Sequence, residues 1–293
     1  MGIELAKLVG GEIISADSRQ IYRLATIGTA KPAREELEEV PHHLIDILPL
    51  DEEMSAGVYS RLARKVAAEI FSRGRVPVIV GGSGLYLRAL IDGLFEAPEV
   101  DEETRANLRK RLRHEGAEKL LDELKRVDPK AAEGLLPQNY KRILRGLEVW
   151  QSSGRKISEL RELNPDTPDF TTVQFGLQVE RSALYRRIEK RVDGMIEQGL
   201  VDEVKEILRR GFDPALNSLQ SVGYREVVSY LQQKIQFEEM VGLIKMNTRR
   251  YAKRQMTWFR KDGRIIWIET GGIEPAQVAG EISLMLGKLP GNS

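Results

Sequence analysis

"GEIISADSRQIY" (residues 11–22) opens on a short apolar run, Gly11–Ser15, and breaks at once into the polar pair Asp17-Ser18. A second such run, "VPVIV" (Val76–Val80), breaks into Gly81-Gly82-Ser83-Gly84. Between them, apolar residues at helical spacing predict a long amphipathic helix from about Ser55 to Gly74. Strand and helix in alternation predict a parallel sheet with helices on its faces. Ligands of such sheets bind beyond the carboxyl ends of the strands, which places Asp17 and Ser83 on one working edge.

Upstream, Ile3, Leu5, Ala6, Leu8 and Val9 form the apolar face of a helix that Gly10-Gly11 stops, and no Ser, Thr, Asp or Asn caps its start. Downstream, residues 101–154 read as helical throughout and are rich in Arg, Lys and Leu. "VQFGLQVE" (173–180) alternates like a strand, helices return near Ser182, and "RIIWIE" (264–269) is a late strand. The economical architecture is one α/β core, residues 1–100 and 170–293, interrupted by a helical insertion, residues 101–169. The closing "PGNS" (290–293) reads as a frayed end.

No stretch approaches the about 20 consecutive apolar residues that a membrane span needs, and no secretory signal is visible at the start. The absence of cysteine excludes disulfides and thiolate zinc sites and agrees with a cytoplasmic location. His42 and His43 are adjacent, so on an extended segment they point to opposite faces and make a poor metal chelate. The net charge is only +1, but it is unevenly placed. Acidic runs come early, whereas "RANLRKRLRH", "YKRILR", "LYRRIEKR" and "NTRRYAKRQMTWFRKDGR" are basic, three of them with aromatic residues. Any one cluster reads as a solvated helix face; four together point to an anionic partner such as RNA.

Two residue groups on the working edge each carry two readings. The glycines of "GGSG" serve either a tight turn or an approach of bare backbone N–H groups to an anion. Asp17-Ser18 is either a helix cap or the position of a general base at the end of a parallel strand.

The ordered series "SADSRQIY" (15–22), "IGTAKP" (27–32), "VPHHLID" (40–46), "GGSGLYL" (81–87), "LEVWQSSGRKISE" (147–159), "ERSALYRRIEKRVDGMIEQGLVDEV" (180–204), "SVGYRE" (221–226) and "RRYAKRQMTWFR" (249–260) closely resembles the bacterial tRNA dimethylallyltransferases, also called tRNA isopentenyl transferases. The resemblance runs from residue 3 to about residue 270. It implies a P-loop kinase-like parallel-sheet core with a helical insertion. It also implies transfer of a dimethylallyl group from dimethylallyl diphosphate to N6 of adenosine 37 in tRNA, with Mg²⁺. In that family a strand and a phosphate loop, G-x-x-x-x-G-K-[ST], come just before the "IELAK" helix. The 293 residues contain no such loop, so the expectation is an amino-terminally shortened form with impaired catalysis and no assignable metal ligand.

By the same resemblance Asp17 is the base, and Ser18, Arg19 and Gln20 continue a segment that contacts the target nucleotide. Ser83 stands where Thr is more usual, and either hydroxyl can donate to RNA. Arg105 matches a tRNA-contact position, while Lys141, Arg142 and Arg145 lie on the segment that approaches the anticodon loop. Arg187 and Arg191, one helical turn apart, are assigned to the leaving diphosphate. Lys253, Arg254 and Arg260 are expected to face the RNA backbone, with Trp258 and Phe259 in the core. The expected partners are a tRNA anticodon stem-loop and dimethylallyl diphosphate, with a monomeric protein. A non-catalytic RNA-binding remnant, and a nucleotide kinase or adenylate transferase on the same core, stay open as alternatives.

Overall fold

The computed structural model describes residues 1–94, 98, 100–162 and 167–288, so the "PGNS" end lies outside the described residues. The chain divides into two compact units, Met1–Leu90 with Phe170–Ser293, and Ile91–Asp169.

The first unit begins with α1 (Gly2–Val9), which Gly10 ends in the left-handed conformation at φ 61°. The central strand β1 (Gly11–Ser15) follows, then α2 (Arg34–Glu39) and the two-residue β2 (His42–His43). Helix α3 (Ala56–Ser72) starts where Ser55 Oγ accepts the Val58 N–H and stops before Gly74, whose φ is 69°. Both stop signals are those the sequence offered. Then come β3 (Val76–Val80) and α4 (Gly84–Asp92). The chain returns to this unit with β4 (Gln174–Gln178), and β5 (Ile265–Glu269) pairs with it.

The sheets are parallel as expected, but among the described residues they number two: one ordered β2-β1-β3, the other β4-β5. Apolar periodicity marks a strand without saying which edge it pairs with. In the first sheet Ile13 stands opposite Val78 on one side and His42 on the other, and Ser15 stands opposite Val80. All five β1 residues are buried, with Ile14 packed among Ala63, Ala67 and Ile70 of α3. The rings of Tyr59 and Tyr86 stack at 4.2 Å in the same cluster, and the Tyr59 hydroxyl donates to Ser15 O.

Glu12 is a charged group inside this sheet, its side chain only 6% exposed. It accepts hydrogen bonds from Arg73 Nη2 at 2.8 Å and contacts His43 Nε2 at 2.7 Å. Burial raises its pKa, but Arg73 and His43 outweigh that and hold it below the ordinary carboxylate value. A depressed folded-state pKa gives stability that is present above the unfolded value of about 4.3 and is lost as pH falls through the folded value. Glu12→Gln should therefore cost about 1–3 kcal/mol at neutral pH, because the half-exposed Arg73 can rehydrate. It should also flatten the acid limb of a urea-midpoint-against-pH curve. An unchanged limb would remove Glu12 from acid unfolding.

Helices α5 (Glu102–Glu115), α6 (Ala117–Val127), α7 (Pro129–Ala132), α8 (Tyr140–Ser153) and α9 (Ile157–Glu162) make up the second unit. Asp101 caps α5 by accepting the Thr104 N–H. Leu108, Leu120, Leu124, Ile143 and Leu147 form its core. Gly146 lets α8 approach α6 closely, since a Cβ there would meet Leu124 Cδ1 at 2.7 Å. The remaining helices, α10 (Arg181–Glu197), α11 (Leu200–Arg209), α12 (Tyr224–Leu231), α13 (Phe237–Phe259) and α14 (Pro275–Gly287), belong to the first unit. Ile21, Leu200, Val204, Tyr224 and Ile244 fill a core beneath α10–α13. No helix among the described residues is long and apolar enough to cross a membrane.

Candidate active site

Because β1 and β3 run parallel and in register, their exits lie side by side. Ala16 N–H donates to Val80 O at 2.7 Å, Ser83 N–H to Ala16 O at 3.1 Å, and Ser18 N–H to Ser83 Oγ at 2.9 Å. Of the two readings of "GGSG", close packing accounts for its outer glycines. A Cβ on Gly81 would meet Ala16 O at 2.3 Å, and one on Gly84 would meet Trp258 Nε1 at 2.3 Å. The middle carbonyl, Gly82 O, accepts from Gln255 Nε2 of α13 at 3.0 Å.

Asp17 caps a turn rather than a helix. Its Oδ1 accepts the N–H groups of Arg19 at 2.7 Å and Gln20 at 3.4 Å, while Oδ2 accepts nothing among the described residues. One oxygen thus ties the carboxylate to the turn, and the other has no donor among the described residues. Gln20 Nε2 donates to Ala30 O at 3.0 Å, and Arg19 Nη1 to Asn217 O at 2.9 Å.

Side chains from three helices feel the Asp17 charge. Burial lowers the pKa of Arg191 on α10, and the attraction of Asp17 opposes that shift. Arg191 is nonetheless exposed at its surface. Burial raises the Tyr251 hydroxyl on α13, and Asp17 raises it further. Tyr86 on α4 is pushed up to about 12, by burial first, then by Tyr22 and Asp17 against the opposing Arg19. At neutral pH Asp17 therefore sits among two neutral phenols and a cation, an arrangement able to accept a proton and to hold an anion nearby.

The other sequence-selected residues distribute around this centre or lie in the second unit. Arg187 is exposed on α10 one turn before Arg191, while the neighbouring Ile188 and Val192 are buried. Lys253, Arg254, Thr257, Trp258 and Lys261 line a cleft of about 240 Å³, and Arg260 is exposed beyond it. Trp258 corrects an expectation: it is 40% exposed instead of lying in the core, because its indole rides over Gly84 and leaves one flank in the cleft. Phe259 is half-buried. In the second unit Lys141 and Arg142 are exposed at the start of α8, whose Ile143, Leu144 and Leu147 face inward. Arg145 pairs with Glu148 at 3.3 Å, and Arg105 with Glu102 at 3.5 Å.

Tyr251, Gln255 and Tyr86 escaped the sequence reading. The signal for the first two was present in "RRYAKRQMTWFR", where they are four residues apart and share a helix face.

A family model described as IPP transferase matches residues 20–262. A tRNA dimethylallyltransferase of Pelotomaculum thermopropionicum is 46% identical over 272 residues, 92% of this chain and 86% of that protein. One of Thermotoga petrophila is 47% identical over 268 residues, 90% of this chain and 86% of the relative. Among solved structures, the full-length tRNA isopentenylpyrophosphate transferase from Bacillus halodurans aligns with a TM-score of 0.71 at 39% identity, over 97% of this chain and 90% of that one. A eukaryotic dimethylallyltransferase acting on tRNA aligns with a TM-score of 0.81 at 26% identity, over 97% of this chain and 73% of that one.

Proposed function

The chain belongs to the IPP transferase family, whose relatives are tRNA dimethylallyltransferases, and from that premise we propose how its residues divide the reaction. The substrates are dimethylallyl diphosphate and adenosine 37 of a tRNA anticodon stem-loop. The observation that carries the reading is Asp17, with one oxygen tied to a turn and the other open, among Tyr251, Tyr86 and Arg191.

N6 of an adenine inside a packed loop is out of reach, so the base leaves its stack at a cost of a few kcal/mol that pocket contacts offset. Ser18, Arg19, Gln20 and Ser83 are the contacts at the strand ends. N6 attacks the first carbon of the dimethylallyl group, the carbon–oxygen bond to the diphosphate breaks, and Asp17 takes the proton that N6 sheds. Arg191 and Arg187 hold the departing diphosphate. Mg²⁺, when bound, would neutralise part of the diphosphate charge. The Ser18 hydroxyl at this edge is a hard oxygen of the kind it prefers. We place the enzyme in the cytoplasm as a monomer.

The test is incorporation of labelled dimethylallyl into an anticodon stem-loop. Equal labelling of a stem-loop with guanosine at position 37 would overturn the assignment to N6 of adenosine. Lys141, Arg142, Arg145 and Arg105 of the helical unit, with Lys253, Arg254 and Arg260, are assigned to tRNA phosphates. Affinity should then fall with salt by about 0.7–0.9 log units per log unit of salt for each neutralised phosphate. Arg142→Ala with Lys253→Ala should lessen that slope, and a parent slope near zero would make these clusters merely solvated faces.

A further inference from the structure

Glu203, in the first turn of α11, has no part in the chemistry assigned above, yet its carboxylate gathers four donors. Oε2 accepts the backbone N–H groups of Thr26 at 3.0 Å and Ile27 at 2.7 Å. Oε1 accepts the N–H of Gly28 at 3.2 Å and the hydroxyl of Tyr224 at 2.5 Å. Three successive amides converging on one carboxylate form a nest, a geometry suited to an anion.

The turn held this way leads back to the site. Gly28 packs so tightly that a Cβ would meet the Tyr224 ring at 2.4 Å and Leu200 Cδ1 at 2.9 Å, so the loop cannot slide past α11 and α12. Thr29 Oγ1 donates to Ala25 O at 2.7 Å, and Ala30 takes a left-handed φ of 48°. These constraints aim two carbonyls, Thr29 O and Ala30 O, at the Gln20 carboxamide, which donates to them at 3.3 and 3.0 Å. The Gln20 backbone N–H in turn donates to Asp17 Oδ1 at 3.4 Å. Tyr224 is buried, and burial together with Glu203 keeps its hydroxyl protonated as a donor.

We infer that Glu203 is a positioning residue for Asp17, acting through the turn at residues 26–30 and through Gln20. The inference rests on the reading of Asp17 as the base, but the linkage itself can be measured without turnover. Amide hydrogen exchange of the full chain and its Glu203→Gln variant is the experiment. Gln keeps the size but turns an NH₂ group toward amides that need an acceptor.

Exchange should accelerate by about tenfold or more at Thr26, Ile27 and Gly28 and also at Arg19 and Gln20, while Ile13 and Ile14 of β1 hold their rates. Acceleration confined to residues 26–28, or none at all, would overturn the linkage. If Glu203→Gln loosens Ile14 as well, Tyr224→Phe replaces it, removing one donor to the carboxylate and leaving the nest, with the same two signatures deciding. A second readout follows turnover. Glu203→Gln should lower kcat by on the order of tenfold to 10²-fold with KM for the stem-loop within about twofold. Gln20→Ala added to it should cost less than Gln20→Ala alone, and additive losses would overturn the coupling. A parent chain that transfers no dimethylallyl group would count against the proposed reaction, whereas the exchange pattern would still decide whether Glu203 holds the Asp17 segment.

Discussion

Asp17→Asn should lower the single-turnover rate of dimethylallyl transfer by about 10²-fold or more, with stem-loop affinity within a few-fold of the parent. The substitution is nearly isosteric. The Asn oxygen can still accept the Arg19 and Gln20 amides that Asp17 Oδ1 accepts, so the turn and its link to Ser83 keep their shape. What changes is Oδ2, the atom with no hydrogen-bond donor among the described residues, which becomes an NH₂ group unable to take a proton. The neighbouring phenols offer no substitute, because Tyr86 and Tyr251 are both raised above the ordinary phenol pKa and stay protonated at neutral pH. Rapid-quench measurement under enzyme excess separates the chemical step from binding and product release. A variant with near-parental single-turnover rate would remove Asp17 from the proton transfer.

That the sequence pointed to Asp17 reflects what short apolar runs encode. A run of five residues followed by Asp or Gly names a strand and its exit, and parallel strands bring their exits together, so Asp17 and Ser83 were legible as partners before any distance was known. The Ser55 cap and the Gly74 stop were legible for the same reason, being local. Strand pairing was not, since β3 and β4 have similar lengths and nothing in their spacing says which edges meet. Trp258 and Glu203 show the limit in side chains. An aromatic at helical spacing reads as core, yet Trp258 sits over a glycine 174 positions away by sequence number from 84 to 258, a close approach that no periodicity encodes. Glu203 reads as an ordinary acidic residue in a helix's first turn, and only the fold brings it to the amides of residues 26–28.

Arg191 and Arg187 test the electrostatic half of the mechanism, because they share a helix face but not an environment. A charge pair at 4 Å is worth about 1 kcal/mol in water and about 4 kcal/mol where the effective dielectric constant is near 20. Both are exposed at their surface, but Arg191 feels the Asp17 charge and is crowded enough that burial lowers its pKa. The charge that grows on a leaving diphosphate should therefore be stabilised mainly by Arg191. Arg191→Gln should lower the single-turnover rate by about 10²–10³-fold, the loss expected when one preorganised donor to a developing anion is removed. Arg187→Gln should cost about tenfold or less, in keeping with a screened, exposed cation. Arg191→Lys should restore only part of the rate, since an ammonium lacks the planar fork that grips two phosphate oxygens at once. Inorganic pyrophosphate binding followed by calorimetry gives a second measure that needs no turnover, and Arg191→Gln should weaken it more than Arg187→Gln does. Equal losses from the two substitutions, in rate and in pyrophosphate affinity, would mean that burial beside Asp17 confers nothing on Arg191 and that the pair acts as a diffuse positive patch.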